Sequence, residues 1–299
     1  MPLVLDGGDG GSIGLDDLVE ALDANAFDVR DEASFAALAP WLARLGRNPD
    51  FLAELVVAEL KERCDAQART STYGGQVFLL RPPNGRYLLR AAFWPARADP
   101  ALRSSGPAAF FYNMPHDHNF PFLTYGYVGP GYHSDYYTYD PQAVSGVPGS
   151  PAGLRFVERA RLEPGRVMLY RPGHDVHVQL PPDSFSVSLN ILGQDPAQVW
   201  QDQYRFDVRR DVIAGGLTCA PSEALIALAV HAGNGRDLAE DFARSHPHPR
   251  MRATAFAALA GVDGPGVWER AAGDGHRFVS GTARAALERL APERSGSAG

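Results

Sequence analysis

Between residues 73 and 210 the chain is cut into ten short apolar runs by Pro- and Gly-rich turns, and this punctuation constrains the fold more than any other feature. The runs are Gln76–Arg81, Arg86–Trp94, Ala108–Asn113, Leu123–Val128, Tyr132–Asp140, Leu154–Leu162, Arg166–Arg171, Asp175–Leu180, Phe185–Leu192 and Val199–Asp207. Each is rich in Val, Phe, Tyr and Leu and bounded by residues that interrupt regular backbone. Ten such runs predict an antiparallel sandwich or barrel. Pro82-Pro83-Asn84-Gly85 reads as the hairpin turn between the first two.

Helical periodicity flanks this region on both sides. Leu15, Leu18, Val19 and Leu22 follow the i, i+3, i+4, i+7 spacing of one helical face. Asn48-Pro49 opens another helix, with Asn as N-cap and Pro at the first helical position, and Leu52, Leu55, Val56 and Leu60 as its buried stripe. From about Pro221 the helical pattern returns, rich in Ala. There Met251–Leu259 and Val279–Leu287 resemble one another at a period of 28, with Ser222–Val230 as a degenerate third copy. Such spacing is similar to short HEAT-like repeats, in which each helix pair buries its apolar face on the next. The expected organisation is an α+β chain: an N-terminal helical segment (1–72), a β-barrel (73–212) and a C-terminal helical, repeat-like domain (213–299) ending in a disordered Ser-Gly-Ser-Ala-Gly tail.

Composition excludes several functions. The chain has 299 residues and a formal net charge of −7, so a nucleic-acid groove, which needs a clustered basic face, is not expected. The two cysteines, Cys64 and Cys219, cannot build a disulfide framework or a Cys-rich zinc site. No apolar run reaches the ~18 residues of a membrane span. Met1–Leu15 lacks the basic and apolar regions of a secretory leader, so the cytoplasm is the expected compartment.

With cysteine nearly absent, histidine carries the candidate chemistry. Five of the nine histidines lie between 116 and 177: His116, His118, His133, His174 and His177. In an extended segment alternate side chains share a face, so His116 and His118 can reach one metal ion while Asp117 points away. Farther on, Gly165–Arg171, a Pro172-Gly173 turn and Asp175–Leu180 bring in His177, whose face differs from that of Val176 and Val178.

These residues resemble the two motifs of the cupin superfamily. His116 and His118 match the first, and Gly165, Pro172, Gly173 and His177 match the second. The resemblance covers roughly residues 73–210 and implies a double-stranded β-helix with a metal inside. The glutamate of the first motif has no counterpart, because its place falls near Phe122 to Thr124. In this respect, and in its local sequences around His116, His177 and Ser188–Ile191, the chain is similar to the cysteine dioxygenase-like branch. That branch holds Fe(II) with three histidines. The resemblance therefore implies Fe(II) on His116, His118 and His177, and places Arg90 where the branch binds its substrate's carboxylate. Imidazole ligands equally suit Zn, Ni, Mn or Cu. Asn190 and Leu192 stand where thiol dioxygenases carry His and Tyr, and neither cysteine is placed for a cysteine–tyrosine crosslink, so a thiol substrate is not expected.

Tyr125 to Tyr139 holds six tyrosines in fifteen residues. Tyr125 and Tyr127 share one face and, with His133 and His174, are the candidate catalytic groups. The Gly129-Pro130-Gly131 turn resets the register, leaving open which of Tyr132, Tyr136 or Tyr139 enters the barrel. The expected function is a mononuclear non-haem Fe(II) oxygenase acting with O₂ on a small, carboxylate-bearing molecule. Two alternatives stand beside it: a metal-dependent isomerase, lyase or decarboxylase that does not use O₂, and a non-enzymatic sensor or interaction protein. The C-terminal helices offer a surface for a second copy or another protein.

Overall fold

The computed structural model describes residues 1–295, with side chains through residue 291, so the tail expected to be disordered lies outside the described residues from 296 on. The chain divides into two compact units. The first comprises Met1–Pro141, Gly153–Gln198 and Arg205–Arg209; the second comprises Gln142–Ala152, Val199–Tyr204 and the chain from Arg210 on. In chain order the elements are β1 (Leu3–Leu5), α1 (Leu15–Ala24), α2 (Glu32–Ala36), α3 (Ala39–Gly46), α4 (Phe51–Lys61), α5 (Asp65–Thr70), β2 (Val77–Arg81), β3 (Tyr87–Trp94) and α6 (Pro100–Ser105). There follow β4 (Phe122–Val128), β5 (His133–Thr138), β6 (Arg155–Arg161), β7 (Val167–Tyr170), β8 (Asp175–Leu180), β9 (Ser186–Gly193), β10 (Tyr204–Asp207) and β11 (Val212–Gly216). The chain ends in α7 (Pro221–Ala232), α8 (Arg236–Ser245), α9 (Pro249–Asp263), α10 (Gly266–Ala272) and α11 (Arg277–Ser295). The fold is thus mixed α/β with antiparallel sheets.

The first unit holds a six-stranded sheet of order β1-β7-β4-β9-β3-β2 and a three-stranded sheet of order β6-β5-β8. Every pairing within them is antiparallel. The β2–β3 hairpin turns as expected: Gly85 takes φ +87°, and the Asn84 side chain accepts from the backbone N–H groups of Arg86 and Tyr87. Side chains alternate between two cores. On the outer face of the large sheet, Leu89, Ala91, Leu123, Tyr125, Leu169, Leu189 and Ile191 pack with Leu18, Leu22, Phe35, Leu42 and Leu45 of the N-terminal helices. On the inner face, Leu88, Trp94, Phe122, Met168, Tyr170 and Leu192 meet Tyr132, Tyr136 and Leu162.

Several expected elements shift. Ala108–Asn113 is not a strand: Pro107–Phe110 forms a 3₁₀ turn, and Phe111 and Asn113 take φ +56° and +59°, which a strand does not tolerate. Of Val199–Asp207 only the last four residues are strand, after a 3₁₀ turn at Pro196–Trp200. The short strands Leu3–Leu5 and Val212–Gly216 carry no alternation long enough to read from sequence. The helix expected to open at Asn48-Pro49 begins later: α4 starts at Phe51 with Asp50 as its N-cap, Pro49 lies before it, and Asn48 Oδ1 accepts from the N–H groups of Asp50 and Phe51 in the preceding turn; Leu60 is exposed and does not extend the buried stripe.

In the second unit α7 to α11 share one core. The similar stretches fall on α9 and α11, where Met251 and Val279, Ala255 and Ala283, and Ala258 and Ala286 are buried at matching positions. Arg252 of α9 pairs with Asp274 before α11, and Arg250 with Glu223 of α7. Among the described residues no helix is long and apolar enough to cross a membrane.

Candidate metal centre

His177 sits mid-strand in β8, opposite Tyr136 of β5. The segment before β4 runs antiparallel beside it, and His116 and His177 form a bridge in which each backbone N–H donates to the other's carbonyl, at 3.1 and 2.9 Å. Directly opposed residues present their side chains on one face, so the two imidazoles meet. His118 is two residues on, on the same face, and its carbonyl is held by Gly173 N–H at 2.8 Å. That Gly173 belongs to the Pro-Gly turn explains the turn's use: a residue at φ +65° lets the backbone fold against the His116–His118 segment.

The three rings converge through their Nε2 atoms. His177 Nε2 lies 3.1 Å from His118 Nε2 and 3.2 Å from His116 Nε2. An ion with bonds of ~2.1 Å sets neighbouring nitrogens ~3.0 Å apart at a right angle and ~3.4 Å apart at the tetrahedral angle. The spacing fits a shared cation. Among the described residues this is the one cluster of three or more His, Cys, Asp or Glu side chains with ligand atoms close enough to hold a metal.

Electrostatics favours ligation too. Burial lowers the His116 pKa to about 4, against the opposing hydrogen bond to the Met114 carbonyl. Burial, then His116 and Arg90, push His118 well below the usual imidazole range; burial, then His116 and His118, do the same to His177. All three rings are neutral near pH 7, as ligands must be. His116 Nδ1 lies 2.8 Å from the Met114 carbonyl, which accepts its proton and leaves the Nε2 lone pair free.

Register sorts the inward side chains into layers. Phe122, Tyr170, Leu192 and Leu88 are linked register partners on the large sheet, and Tyr136 lies beside His177 on the small one. The Tyr136 and Tyr170 hydroxyls join these sheets at 2.9 Å, and the Tyr170 ring lies 4.8 Å from that of His177. Two residues along each strand, ~7 Å away, the large sheet presents Thr124, Met168, Asn190 and Arg90, and the small one Ser134 and Gln179. Beyond them Trp94 and Tyr132 close the interior, ring to ring at 4.0 Å.

The middle layer is polar and incompletely paired. The Asn190 amide donates to Thr124 Oγ1 at 2.7 Å, yet its Oδ1 is buried without a hydrogen bond. The same is true of Gln179 Oε1 and Arg90 Nε. Arg90 lies over the Tyr73 ring at 5.3 Å, and burial lowers its pKa.

The four candidate catalytic residues are not at this centre. Tyr125 and Tyr127 face the outer core, because they share parity with Leu123 rather than with Phe122. The Tyr127 hydroxyl donates to the Asn48 and Pro49 carbonyls, and Tyr125 packs on Gly46 of α3. His133 is on the outward face of β5, accepting from Arg161 Nε at 3.2 Å. His174 is exposed in the Pro-Gly turn. Asp175 holds the Arg171 guanidinium and the amino group of Met1. In place of these residues the interior holds Tyr132, Tyr136 and Tyr170, with Asn190 and Gln179. The available signal was parity: Gln179 is two residues from His177, and Tyr136 and Tyr132 alternate with Ser134.

No family model matches the chain, and no curated protein matches it. Among solved structures, a hydroquinone 1,2-dioxygenase from Sphingomonas sp. TTNP3 with 4-hydroxybenzoate bound is 10% identical, covering 42% of this chain and 69% of its own at a TM-score of 0.28. A second hydroquinone 1,2-dioxygenase, with Cd²⁺ and 4-hydroxybenzonitrile, is 10% identical over 44% of this chain and 71% of its own, at 0.28. A structure of DMSP lyases is 14% identical at 0.26, and the match spans 44% of this chain and 52% of the lyase. Similarity this slight assigns no activity.

Proposed function

We propose that the protein is a cupin-type mononuclear Fe(II) oxygenase that uses O₂ on a small carboxylate-bearing molecule. The observation that carries the reading is the convergence of three buried, neutral imidazoles through Nε2 beside an inward guanidinium. Fe(II), bound by three neutral ligands with no carboxylate, supplies Lewis acidity and electron exchange with O₂, and keeps its full charge for an anionic substrate.

The chain's own residues would then divide the work. His116, His118 and His177 hold the ion, and the Met114 carbonyl fixes the His116 tautomer. Arg90, one layer away, binds the substrate's carboxylate and so orients the molecule toward the imidazoles. Phe122 and Tyr170, stacked at 4.2 Å, and Phe120 beside His118 exclude water. The hydroxyls of Tyr132, Tyr136 and Tyr170 have pKa values raised first by burial, so they stay protonated and serve as hydrogen-bond donors. The helical unit, HEAT-like by sequence, is the proposed surface for a second copy or another protein, and the cytoplasm the proposed compartment.

The test is anaerobic metal analysis of the protein as expressed, followed by O₂ uptake with carboxylic acids. Iron near one per chain and acid-dependent uptake support the reading, with both lost in His116→Ala and His177→Ala. Stoichiometric zinc with no uptake would replace it with O₂-independent chemistry.

A further inference from the structure

Resting on that reading, the polar layer next to the imidazoles narrows the substrate. Arg90 and Asn190 are direct register partners on β3 and β9, so their side chains leave the same face ~5 Å apart. Asn190 donates one amide N–H to Thr124 Oγ1, and its oxygen is buried without a donor. Gln179 faces the same layer from the opposite sheet, its amide nitrogen 3.1 Å from His177 Nε2 and its oxygen buried without a partner. The layer therefore offers one cation, two amide oxygens and the Ser134 hydroxyl, which is also buried without a partner and can donate or accept. A buried amide oxygen without a donor is costly, so the complementary molecule brings donors as well as an anion.

Charge decides which donor. None of the layer's side chains, Arg90, Asn190, Thr124, Met168, Ser134 and Gln179, is a carboxylate. An ammonium placed there would face Arg90 with nothing to neutralise it, and a zwitterion would leave the charge of the half-buried Arg90, whose Nε is buried, uncompensated. A hydroxyl donates without adding charge. We infer that the substrate is a hydroxycarboxylate monoanion, its carboxylate on Arg90 and the one proton of its hydroxyl shared between the Asn190 and Gln179 amide oxygens.

The test is calorimetric titration of the Co(II)-loaded protein with two isosteric series: propionate, lactate and alanine, and benzoate and salicylate. A hydroxy acid should bind at least tenfold more tightly than its parent acid, and lactate more tightly than alanine. Chelation of cobalt alone could favour a hydroxy acid, so the variants decide. Asn190→Leu and Gln179→Leu should each cut the hydroxyl preference about fivefold and leave propionate or benzoate within twofold. Each variant must still bind one cobalt; should Asn190→Leu not fold, Gln179→Leu stands alone. A preference unchanged in the folded variants, or alanine binding at least as well as lactate, overturns the inference. Failure to bind cobalt overturns the metal reading instead, whereas cobalt binding with no acid bound overturns the inference and leaves the metal reading standing.

Discussion

His116 and His177 lie 61 residues apart in the chain, yet each donates its backbone N–H to the other's carbonyl and their Nε2 atoms stand 3.2 Å apart. The backbone bridge sets the imidazole pair before any metal is considered. Without a metal, three neutral rings crowd one another, and that has a consequence for folding.

The metal-free protein should lose stability as pH falls from ~6.5 toward ~4. The unfolded histidines take up protons near 6.5, whereas burial keeps the folded His116 neutral to about 4 and holds His118 and His177 well below the usual imidazole range. Stability is full above the unfolded value and declines below it, by up to ~1.4 kcal/mol per pH unit for each proton refused. Urea midpoints of chelator-treated protein between pH 8 and 5 measure this. His118→Leu should flatten the slope by about one proton; a pH-independent midpoint would contradict the burial of neutral rings.

Tyr127→Phe should destabilise the protein by ~1 kcal/mol and leave metal binding unchanged. Its hydroxyl bonds the Asn48 and Pro49 carbonyls, far in register from the imidazoles. Loss of metal with intact stability would return Tyr127 to the site.

Gly46→Ala should destabilise by ~1–3 kcal/mol, although alanine is the better helix former. A Cβ at this position of α3 would run into the Tyr125 ring. Thermal unfolding of the single variant and of Gly46→Ala/Tyr125→Leu checks the cause: the smaller side chain should recover part of the loss.

Asp195→Asn should lower the thermal midpoint at pH 7 and match the parent protein at low pH. The Arg30 guanidinium, then the Ala197 N–H, hold the Asp195 pKa at about 2. Its contribution is complete above the unfolded value near 4 and disappears as pH drops through about 2. A midpoint difference that persists unchanged to pH 2 would assign the effect to something other than this ion pair.

Much of this molecule follows from local pattern. Residues at i and i+2 of an extended segment share a face whatever the fold, so His116-x-His118 was legible as a metal-facing pair. The Asn84-Gly85 hairpin was legible for the same reason, since its geometry is confined to a few residues. The long-range choices were not. Whether Tyr125 or Phe122 enters the interior depends on which face the N-terminal helices cover, and α3 covers the face carrying Tyr125. Arg90, Asn190 and Gln179 become one layer only when β3, β9 and β8 are brought together, because strand pairing is set by burial of whole sheet faces rather than by any single residue. The sequence by itself determined the candidate ligand types and their parity; tertiary packing decided which polar atoms were left buried without partners.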